Sequence, residues 1–309
     1  MIKHIQGLHH VTSIASDPRA NNAFFTGPLG LRRVKKTVNF DAPDVYHLYY
    51  GDEVGTPGGV MTYFPFPNAA RGRPGGGEVG TTRFSIPRGT ARAWADRLSG
   101  SGVTASESPG PFGETLLSFA GPDGDAFALV ESDDPRDPWT GGGLSADMAI
   151  RGFHSAHLRP RDNGATEELL RFMGYEEVDR RDGVLRLAIG GGNAANVIDV
   201  ETLPAADWAA QGAGSVHHIA FSVKDRQTQD AVRKALTDTG YRVTPPIDRD
   251  YFWAIYFRTP GGILFEVATD APGFDRDEDR AHLGETLKLP RQHEHLRAQL
   301  ERDLQPIGE

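Results

Sequence analysis

The chain has 309 residues, a formal net charge of −9, 37 glycines, 21 prolines and no cysteine. This length gives room for about two domains, each with its own core. Without cysteine, disulfides, thiolate metal sites, iron–sulfur clusters and a cysteine nucleophile are excluded, so a metal would be held by histidine, carboxylate or water. The negative charge argues against nucleic acid as a partner, because binding a polyanion requires clustered basic residues.

The amino terminus shows no targeting segment. Residues 1–7 lack the apolar stretch of a signal peptide, and no window approaches the length of a membrane-spanning helix. We therefore expect a cytoplasmic protein that does not bind membranes.

Four consecutive segments repeat one pattern, a strand followed by an amphipathic helix and three further strand-like runs. In the first, Gly7–Pro67, a helix is predicted from Asp17, its expected N-cap, to Leu29. Its later strands are predicted at Val34–Phe40, Val45–Tyr50 and Val60–Phe66. We call the segments modules one to four; the other three run over Val79–Glu131, Arg151–Glu201 and Ser215–Thr269. Each is a predicted βαβββ unit, so the fold class is α+β.

The clearest linker lies between modules two and three, where residues 133–143 are rich in Asp, Pro and Gly. We therefore predict an N-terminal domain of two modules over 1–132, a C-terminal domain of two modules over 150–270, and a helical tail over 271–309. In the tail, Leu296, Leu300 and Leu304 recur at helical spacing. They would pack either on this chain or on a partner subunit of a homo-oligomer.

A nearly identical turn recurs at Thr56-Pro57-Gly58-Gly59 and Thr259-Pro260-Gly261-Gly262. Because a turn of this kind fixes the register of the next strand, the modules can be compared position by position. Glu266 in module four then corresponds to Ala128 in module two and to Tyr63 in module one. A carboxylate in an apolar strand is costly to bury without a cation or strong hydrogen bonds, so Glu266 is a candidate metal ligand.

Both turns lie downstream of a double histidine, His9-His10 and His217-His218. Strict alternation along the strand puts His218 on a face with small residues and His217 on the opposite face. Module two has Thr81 at the position of His218, whereas module three contributes His154. The residues alone leave open whether His10 or His154 completes a trio with His218 and Glu266.

Two imidazoles and one carboxylate form the facial triad that holds Fe(II) in non-haem oxygenases, with three coordination positions left for substrate and O2. Without a metal, the histidines would be held by local hydrogen bonds. Glu266 would then form an ion pair with Arg249 or Arg258.

Several motifs carry a family resemblance that runs nearly from end to end of the chain. They are Gly7-Leu8-His9-His10-Val11-Thr12, Val34-Lys35-Lys36-Thr37, Tyr46 to Gly58, Arg151-Gly152-Phe153-His154-Ser155, Tyr256 to Gly262, Gly273-Phe274 and the acidic stretch Asp275 to Asp279. The module pattern resembles the vicinal oxygen chelate (glyoxalase/bleomycin resistance/extradiol dioxygenase) superfamily, and the motifs are similar to its hydroquinone ring-cleaving dioxygenases. The resemblance implies two open, eight-stranded, barrel-like domains built from paired βαβββ modules around a divalent metal.

The resemblance also implies a set of site residues. Its Fe(II) ligands fall on His10, His218 and Glu266, which favours His10 over His154; Mn(II) is the alternative metal. The residues expected around the metal are His9, Thr12, His217, Arg249 and Tyr256. Arg249 would hold an anionic substrate or oxygen intermediate, Tyr256 would donate a hydrogen bond to a bound oxygen, and His217 would move a proton.

The implied reaction is cleavage of a hydroquinone ring by O2, with both oxygen atoms entering the product. The chain departs from the subgroup at Ala156-His157 and Trp253-Ala254, which bears on the choice of substrate. The alternatives are an extradiol catechol dioxygenase, a glyoxalase-type lyase or isomerase, and a metal-free protein that binds an aromatic drug. The lyase would require a further carboxylate ligand where Tyr63 and Ala128 stand, and the metal-free protein would leave Glu266 as an unexplained buried charge.

Overall fold

A computed structural model describes residues 1–308 and has the predicted order of strand, helix and three strands in every module. Module one consists of β1 (Leu8–Ala15), α1 (Pro18–Thr26), β2 (Arg32–Val38), β3 (Tyr46–Gly51) and β4 (Val60–Pro65). Module two consists of β5 (Glu78–Ile86), α2 (Ala91–Gly100), β6 (Ala105–Pro109), β7 (Thr115–Ala120) and β8 (Ala126–Glu131).

The second half of the chain repeats this order. Module three consists of β9 (Gly152–Arg159), α3 (Ala165–Phe172), β10 (Glu176–Arg181), β11 (Val184–Ala188) and β12 (Val197–Glu201). Module four consists of β13 (Val216–Val223), α4 (Arg226–Asp238), β14 (Ile247–Asp248), β15 (Phe252–Arg258) and β16 (Leu264–Pro272).

The ends of helix α1 follow from its sequence. The side chain of Asp17 accepts hydrogen bonds from the backbone N–H groups of Arg19 and Ala20, which confirms the predicted N-cap. The helix ends at Thr26 rather than at the predicted Leu29. Pro28 lacks a backbone donor and disfavours the helical conformation at the preceding Gly27, so the helix stops there.

The strands form two mixed, eight-stranded, open barrel-like sheets, as the predicted fold requires. The first has the order β14-β15-β16-β13-β1-β4-β3-β2, and the second has the order β10-β11-β12-β9-β5-β8-β7-β6. In the middle of each sheet two opening strands pair antiparallel, β1 with β13 and β5 with β9. Each opening strand also pairs in parallel with the last strand of its own module.

The sheets do not follow the predicted division of the chain at 1–132 and 150–270. One sheet joins module one to module four, and the other joins module two to module three. Each predicted domain therefore supplies half of both sheets. Similar modules can pair in either way, and nothing in a local sequence pattern states which pairing occurs.

A continuous apolar core connects the two sheets. The ring centroids of Phe24 and Phe25 on α1 lie 6.3 and 5.9 Å from the ring centroid of Phe127 on β8. The ring of Tyr175 in module three contacts the ring of Phe221 in module four. Modules one and two, and likewise modules three and four, are thus joined by side-chain packing. The first sheet instead joins modules one and four, which are distant along the chain.

The tail packs on its own chain, which decides between the two predicted alternatives for its leucines. It contains three short 3-10 helices, at Phe274–Arg276, Arg280–His282 and Arg291–Leu296, before α5 at Arg297–Asp303. Leu300 and Leu304 are buried in the main core. The predicted homo-oligomer stays a prediction. Within residues 1–308, no helix is both long and apolar enough to cross a membrane.

Candidate metal centre

Three of the predicted ligands meet in the middle of the first sheet. His10 lies on β1, His218 on the neighbouring β13, and Glu266 on β16. Oε2 of Glu266 is 2.9 Å from Nε2 of His218 and 3.4 Å from Nε2 of His10, and the two Nε2 atoms are 3.4 Å apart. All three side chains are buried. The structure thus brings together one donor from the start of the chain and two from near its end.

The geometry of the trio fits a divalent cation. Donor atoms about 2.1 Å from one ion, at roughly right angles, lie about 3 Å apart, which is close to the observed spacing. Neither carboxylate oxygen of the fully buried Glu266 has a hydrogen-bond partner in the described chain, although both imidazoles lie close by. An ionised carboxylate buried without hydrogen bonds is costly unless a cation lies beside it.

The protonation states also suit metal binding. Burial acts to raise the pKa of Glu266, but His10 and His218 outweigh it and hold the pKa well below its ordinary value. Burial lowers the pKa of His218 despite the attraction of Glu266. An ionised carboxylate and a neutral imidazole are the forms that bind a metal.

His154, the rival ligand, lies on β9 in the second sheet, where Nδ1 is 3.1 Å from Oγ of Ser155. The fully buried carboxylate near it is Asp199, which is paired with Arg83 and Arg186. Two guanidinium groups therefore balance this carboxylate without a metal. The structure does not bring His154 to Glu266.

The histidines that precede the ligands contact them directly. Nδ1 of His9 is 2.9 Å from Nδ1 of His10, and Nδ1 of His217 is 2.7 Å from Nδ1 of His218. A ligand that binds a metal through Nε2 carries its proton on Nδ1 and donates it to the neighbouring histidine. Burial, followed by the adjacent ligand, lowers the pKa of His9 to about 3 and of His217 to about 4, so both are neutral acceptors at pH 7.

The expectation that His217 points away from His218 was wrong, and two β-bulges give the reason. Leu8 pairs with Phe221 but His10 with Ala220, so His9 is an extra residue in β1. Thr12 pairs with His218 but Ser13 with Val216, so His217 is an extra residue in β13. A bulge re-aims a side chain that strict alternation would turn away.

Thr12 belongs to a buried chain of hydrogen bonds. Its Oγ1 is 2.8 Å from Oγ1 of Thr62, which is 2.9 Å from Nε2 of His47, and Nδ1 of His47 is 2.8 Å from the hydroxyl of Tyr49. Sequence reasoning assigned no role to Thr62, His47 or Tyr49. His47 and Tyr49 lie in one of the motifs that carry the family resemblance, and this was the one sequence signal that could have pointed to them.

Arg249 and Tyr256 lie next to the trio. Tyr256 pairs with Glu266 across β15 and β16, and Nε of Arg249 donates to the Tyr256 hydroxyl at 3.3 Å. Nη2 of Arg249 donates to Asp41 at 3.2 Å. Burial acts to lower the pKa of Arg249, but Tyr256 and Asp41 raise it above its ordinary value. Burial and then Glu266 raise the pKa of Tyr256 well above 10, so its hydroxyl keeps its proton.

The trio opens into a cavity of about 370 Å³. Its walls are largely aromatic, and they include Phe40, Phe64, Phe66, Phe252, Tyr49 and Tyr256. A second cavity of about 440 Å³ is also lined by His217 and His218. Only the first is lined by all three of His10, His218 and Glu266, so we assign the chemistry to it.

Known proteins are similar to this chain in sequence and in fold. The model of the Glyoxalase/Bleomycin resistance protein/Dioxygenase superfamily matches residues 7–129 and 155–267. The chain is 42% identical to a Bacillus subtilis strain 168 protein named "Putative ring-cleaving dioxygenase MhqO", over 99% of this chain and 98% of the relative. It is 36% identical to the chlorohydroquinone/hydroquinone 1,2-dioxygenase of Sphingobium indicum, over 97% of this chain and 96% of the relative.

Solved structures agree. A crystal structure from the same Bacillus subtilis strain, titled a putative dioxygenase, matches with a TM-score of 0.95 and 42% identity over 99% of this chain and 98% of that one. Maize glyoxalase I matches with a TM-score of 0.62 at 15% identity, over 85% of this chain and 92% of that one, which shows a shared fold alone.

Four βαβββ modules in two eight-stranded sheets, with a buried His-His-Glu trio, define a glyoxalase-fold protein with a candidate metal centre. This chain belongs to the Glyoxalase/Bleomycin resistance protein/Dioxygenase superfamily. The predicted family is thereby confirmed.

Proposed function

We propose that this protein is a ring-cleaving dioxygenase that acts on hydroquinone-type aromatics with O2 and uses Fe(II) held by His10, His218 and Glu266. The observation that carries the proposal is the fully buried Glu266, whose carboxylate has no hydrogen-bond partner, beside two imidazoles in an aromatic-lined cavity. Relatives over nearly the full chain carry the names of ring-cleaving and hydroquinone dioxygenases, which supports the substrate class.

The cavity suits a flat, partly anionic ring. Its aromatic side chains offer faces and edges for ring packing, and the charged guanidinium of Arg249 lies at its wall. A phenol binds most tightly there as its phenolate, which pairs with a guanidinium. This combination favours a para-diphenol over a neutral apolar ring.

When bound, Fe(II) would supply open coordination positions for the substrate oxygen and O2 and would pass electrons between them. The protein's own groups hold and orient the reactants. His9 and His217 accept the Nδ1 protons of the ligand histidines and so fix their ring planes. The Tyr256 hydroxyl donates to developing negative charge on oxygen, and Arg249 orients an anionic substrate. Mn(II) is the alternative metal for the same donors.

An anaerobic experiment tests the reaction. The apoprotein is loaded with Fe(II), mixed with hydroquinone without oxygen, and then given O2. We expect no turnover before oxygen is added. After its addition, the amount of O2 consumed should equal the amount of hydroquinone lost, which is measured from its aromatic absorbance. Turnover without O2 would indicate the lyase or isomerase alternative, and cleavage of catechol in preference to hydroquinone would indicate the extradiol alternative.

The ligand assignment is tested by paired substitutions. His10→Ala removes one of three donors, so we expect bound iron to fall at least tenfold. His154→Ala lies in the other sheet and is expected to leave iron binding unchanged, which makes it the matched control. Metal content per protein is measured after dialysis. Iron loss in His154→Ala with retention in His10→Ala would contradict the assignment.

A further inference from the structure

Two segments meet behind the wall of the substrate cavity. We call residues 249–251, between β14 and β15, the arginine turn, because they carry Arg249. We call residues 273–278, which follow β16, the tail clamp. The tail clamp contains most of the acidic stretch of the sequence, and the proposed reaction gives that stretch no role.

The tail clamp holds the backbone of the arginine turn. The N–H of Gly273 donates to the carbonyl of Tyr251 at 2.9 Å. Nη1 of Arg276 donates to the carbonyl of Asp250 at 2.6 Å and approaches its carboxylate at 3.4 Å. Asp250 has a φ of +63°, a conformation that costs a non-glycine residue about 1 kcal/mol. Inside the turn, the N–H of Arg249 donates to the carbonyl of Phe252 at 3.0 Å and the N–H of Asp250 donates to Oδ1 of Asp248 at 2.9 Å. The contacts from the tail clamp add to these internal bonds and help to hold the strained conformation.

A buried lysine joins the same two segments. Lys35 on β2 is fully buried, and its Nζ donates to Asp277 at 2.7 Å and to Glu278 at 2.5 Å. The same ammonium lies 4.6 Å from the ring centre of Tyr251, whose hydroxyl donates to Asp277 at 3.1 Å. A buried ammonium is costly unless it is fully paired, so its partners are held in place.

The side chain of Arg249 points away from the tail clamp and lines the cavity. Its guanidinium donates to Tyr256 and to Asp41 at the cavity, and no hydrogen bond or ion pair joins it to the tail clamp in residues 1–308. Asp41 is exposed, so this ion pair alone is a weak restraint. Tyr256 and the ring of Phe40, whose centre is 5.5 Å from Cζ of Arg249, restrain the far end of the side chain, and the backbone of the arginine turn sets the position from which the side chain extends.

We propose that Lys35, Arg276 and Asp277 are positioning residues for the ring-cleaving reaction, because together they fix the arginine turn and thereby aim Arg249 at the substrate. The kinetic part of this inference rests on the proposed function. The mechanical part, that the tail clamp orders the arginine turn, does not.

The test compares Asp277→Ala and Arg276→Ala with Asp275→Ala. Asp275 lies in the same segment, but its carboxylate pairs with Arg280 and not with the arginine turn, which makes it the matched control. Hydrogen–deuterium exchange of a peptide over residues 247–253 is measured in the metal-free protein. We expect exchange at least about tenfold faster in the first two variants and unchanged in the control.

Steady-state kinetics with hydroquinone, normalised to bound iron, give the second readout. Asp277→Ala and Arg276→Ala are expected to lower kcat/KM about tenfold, because a small misplacement of a substrate-orienting group has effects of this size. In an Arg249→Ala background the same substitutions are expected to change kcat/KM less than twofold, since they act through Arg249. A purely structural tail would give the same loss in both backgrounds.

Unchanged exchange of residues 247–253 in both variants would overturn the proposal, and so would additive losses with Arg249→Ala. If one variant fails to fold, the other carries both readouts. If the wild-type protein cleaves no hydroquinone, the proposed function fails, whereas the exchange experiment still decides whether the tail clamp orders the arginine turn.

Discussion

The pKa values of two buried carboxylates in this protein are shifted in opposite directions because their neighbours differ. Glu266 faces two imidazoles, which keep its pKa well below the ordinary value although burial acts to raise it. Asp125 faces the hydroxyl of Tyr63, which donates to it at 2.7 Å. Tyr63 and the backbone N–H of Asp125 are neutral donors that do not offset burial, which raises the pKa of Asp125 to about 6. The first carboxylate is suited to a cation, and the second destabilises the fold when ionised.

Asp125→Asn is expected to stabilise the protein at neutral pH. Because the folded pKa of about 6 exceeds the unfolded value of 3.8, the stability that Asp125 contributes is present below pH 3.8 and is lost as the pH rises through 6. The full loss is about 3 kcal/mol. The asparagine oxygen can still accept from Tyr63, so the variant avoids this loss.

Urea unfolding of the metal-free protein at pH 4.5 and pH 8 measures the effect. The free-energy advantage of the variant over the wild type should grow by about 2 kcal/mol between these pH values, because about 1 kcal/mol is already lost at pH 4.5. An advantage that is equal at both would show that Asp125 titrates normally.

At the residue scale, the trio that the structure brings together as a candidate metal site was predictable, and its neighbours were only partly so. Counting from the duplicated turn identified Glu266, and the double histidines identified His218 with two candidates for the third ligand. The choice of His10 required family resemblance, because His10 and Glu266 are brought together by strand pairing between distant modules. The direction of His217 could not be predicted, since alternation assumes a regular strand and His217 lies in a bulge.

At the scale of elements, the turn between β3 and β4 joins the sheet to the tail. Asp52 accepts hydrogen bonds from the N–H groups of Val54, Gly55 and Thr56. Gly55 has a φ of +75°, and a Cβ there would lie 2.5 Å from the ring of Phe274. Phe274 is buried against Tyr49 and Tyr251, so it has little room to move.

We therefore expect Gly55→Ala to lower the free energy of unfolding by about 2–4 kcal/mol, the sum of a strained backbone and overpacking. Gly89→Ala is the matched control. Gly89 has a φ of +79° but no atom within 4 Å of its added Cβ, so it incurs only the backbone cost of about 1 kcal/mol. Urea unfolding compares the two. Equal losses would contradict the packing of Phe274 against this turn.

At the scale of the whole molecule, the sequence repeats predicted four modules but not their partners. Helix caps and alternating strands are local features, so each βαβββ unit was readable by itself. The pairing of β1 with β13 and of β5 with β9 joins residues far apart in sequence. As a result, the candidate metal centre combines His10 from the first module with His218 and Glu266 from the last.

This topology predicts that the two halves of the chain depend on each other. Residues 1–140 alone would leave β1 and β5 without their central partners, and residues 141–309 alone would leave β13 and β9 without theirs. We expect neither fragment to unfold cooperatively when expressed alone. Co-expressed, they should form a one-to-one complex that retains iron, because every ladder and all three donors are restored.

A protease site inserted between residues 140 and 143 provides the control. After cleavage of the folded protein, the halves should stay associated on size-exclusion chromatography with their metal content unchanged, since the cut lies outside the strands. Sharp, cooperative unfolding of fragment 1–140 by itself would show that modules one and two form an independent domain. Such a domain would require β1 and β5 to be stable as exposed sheet edges, which is unfavourable for long apolar strands.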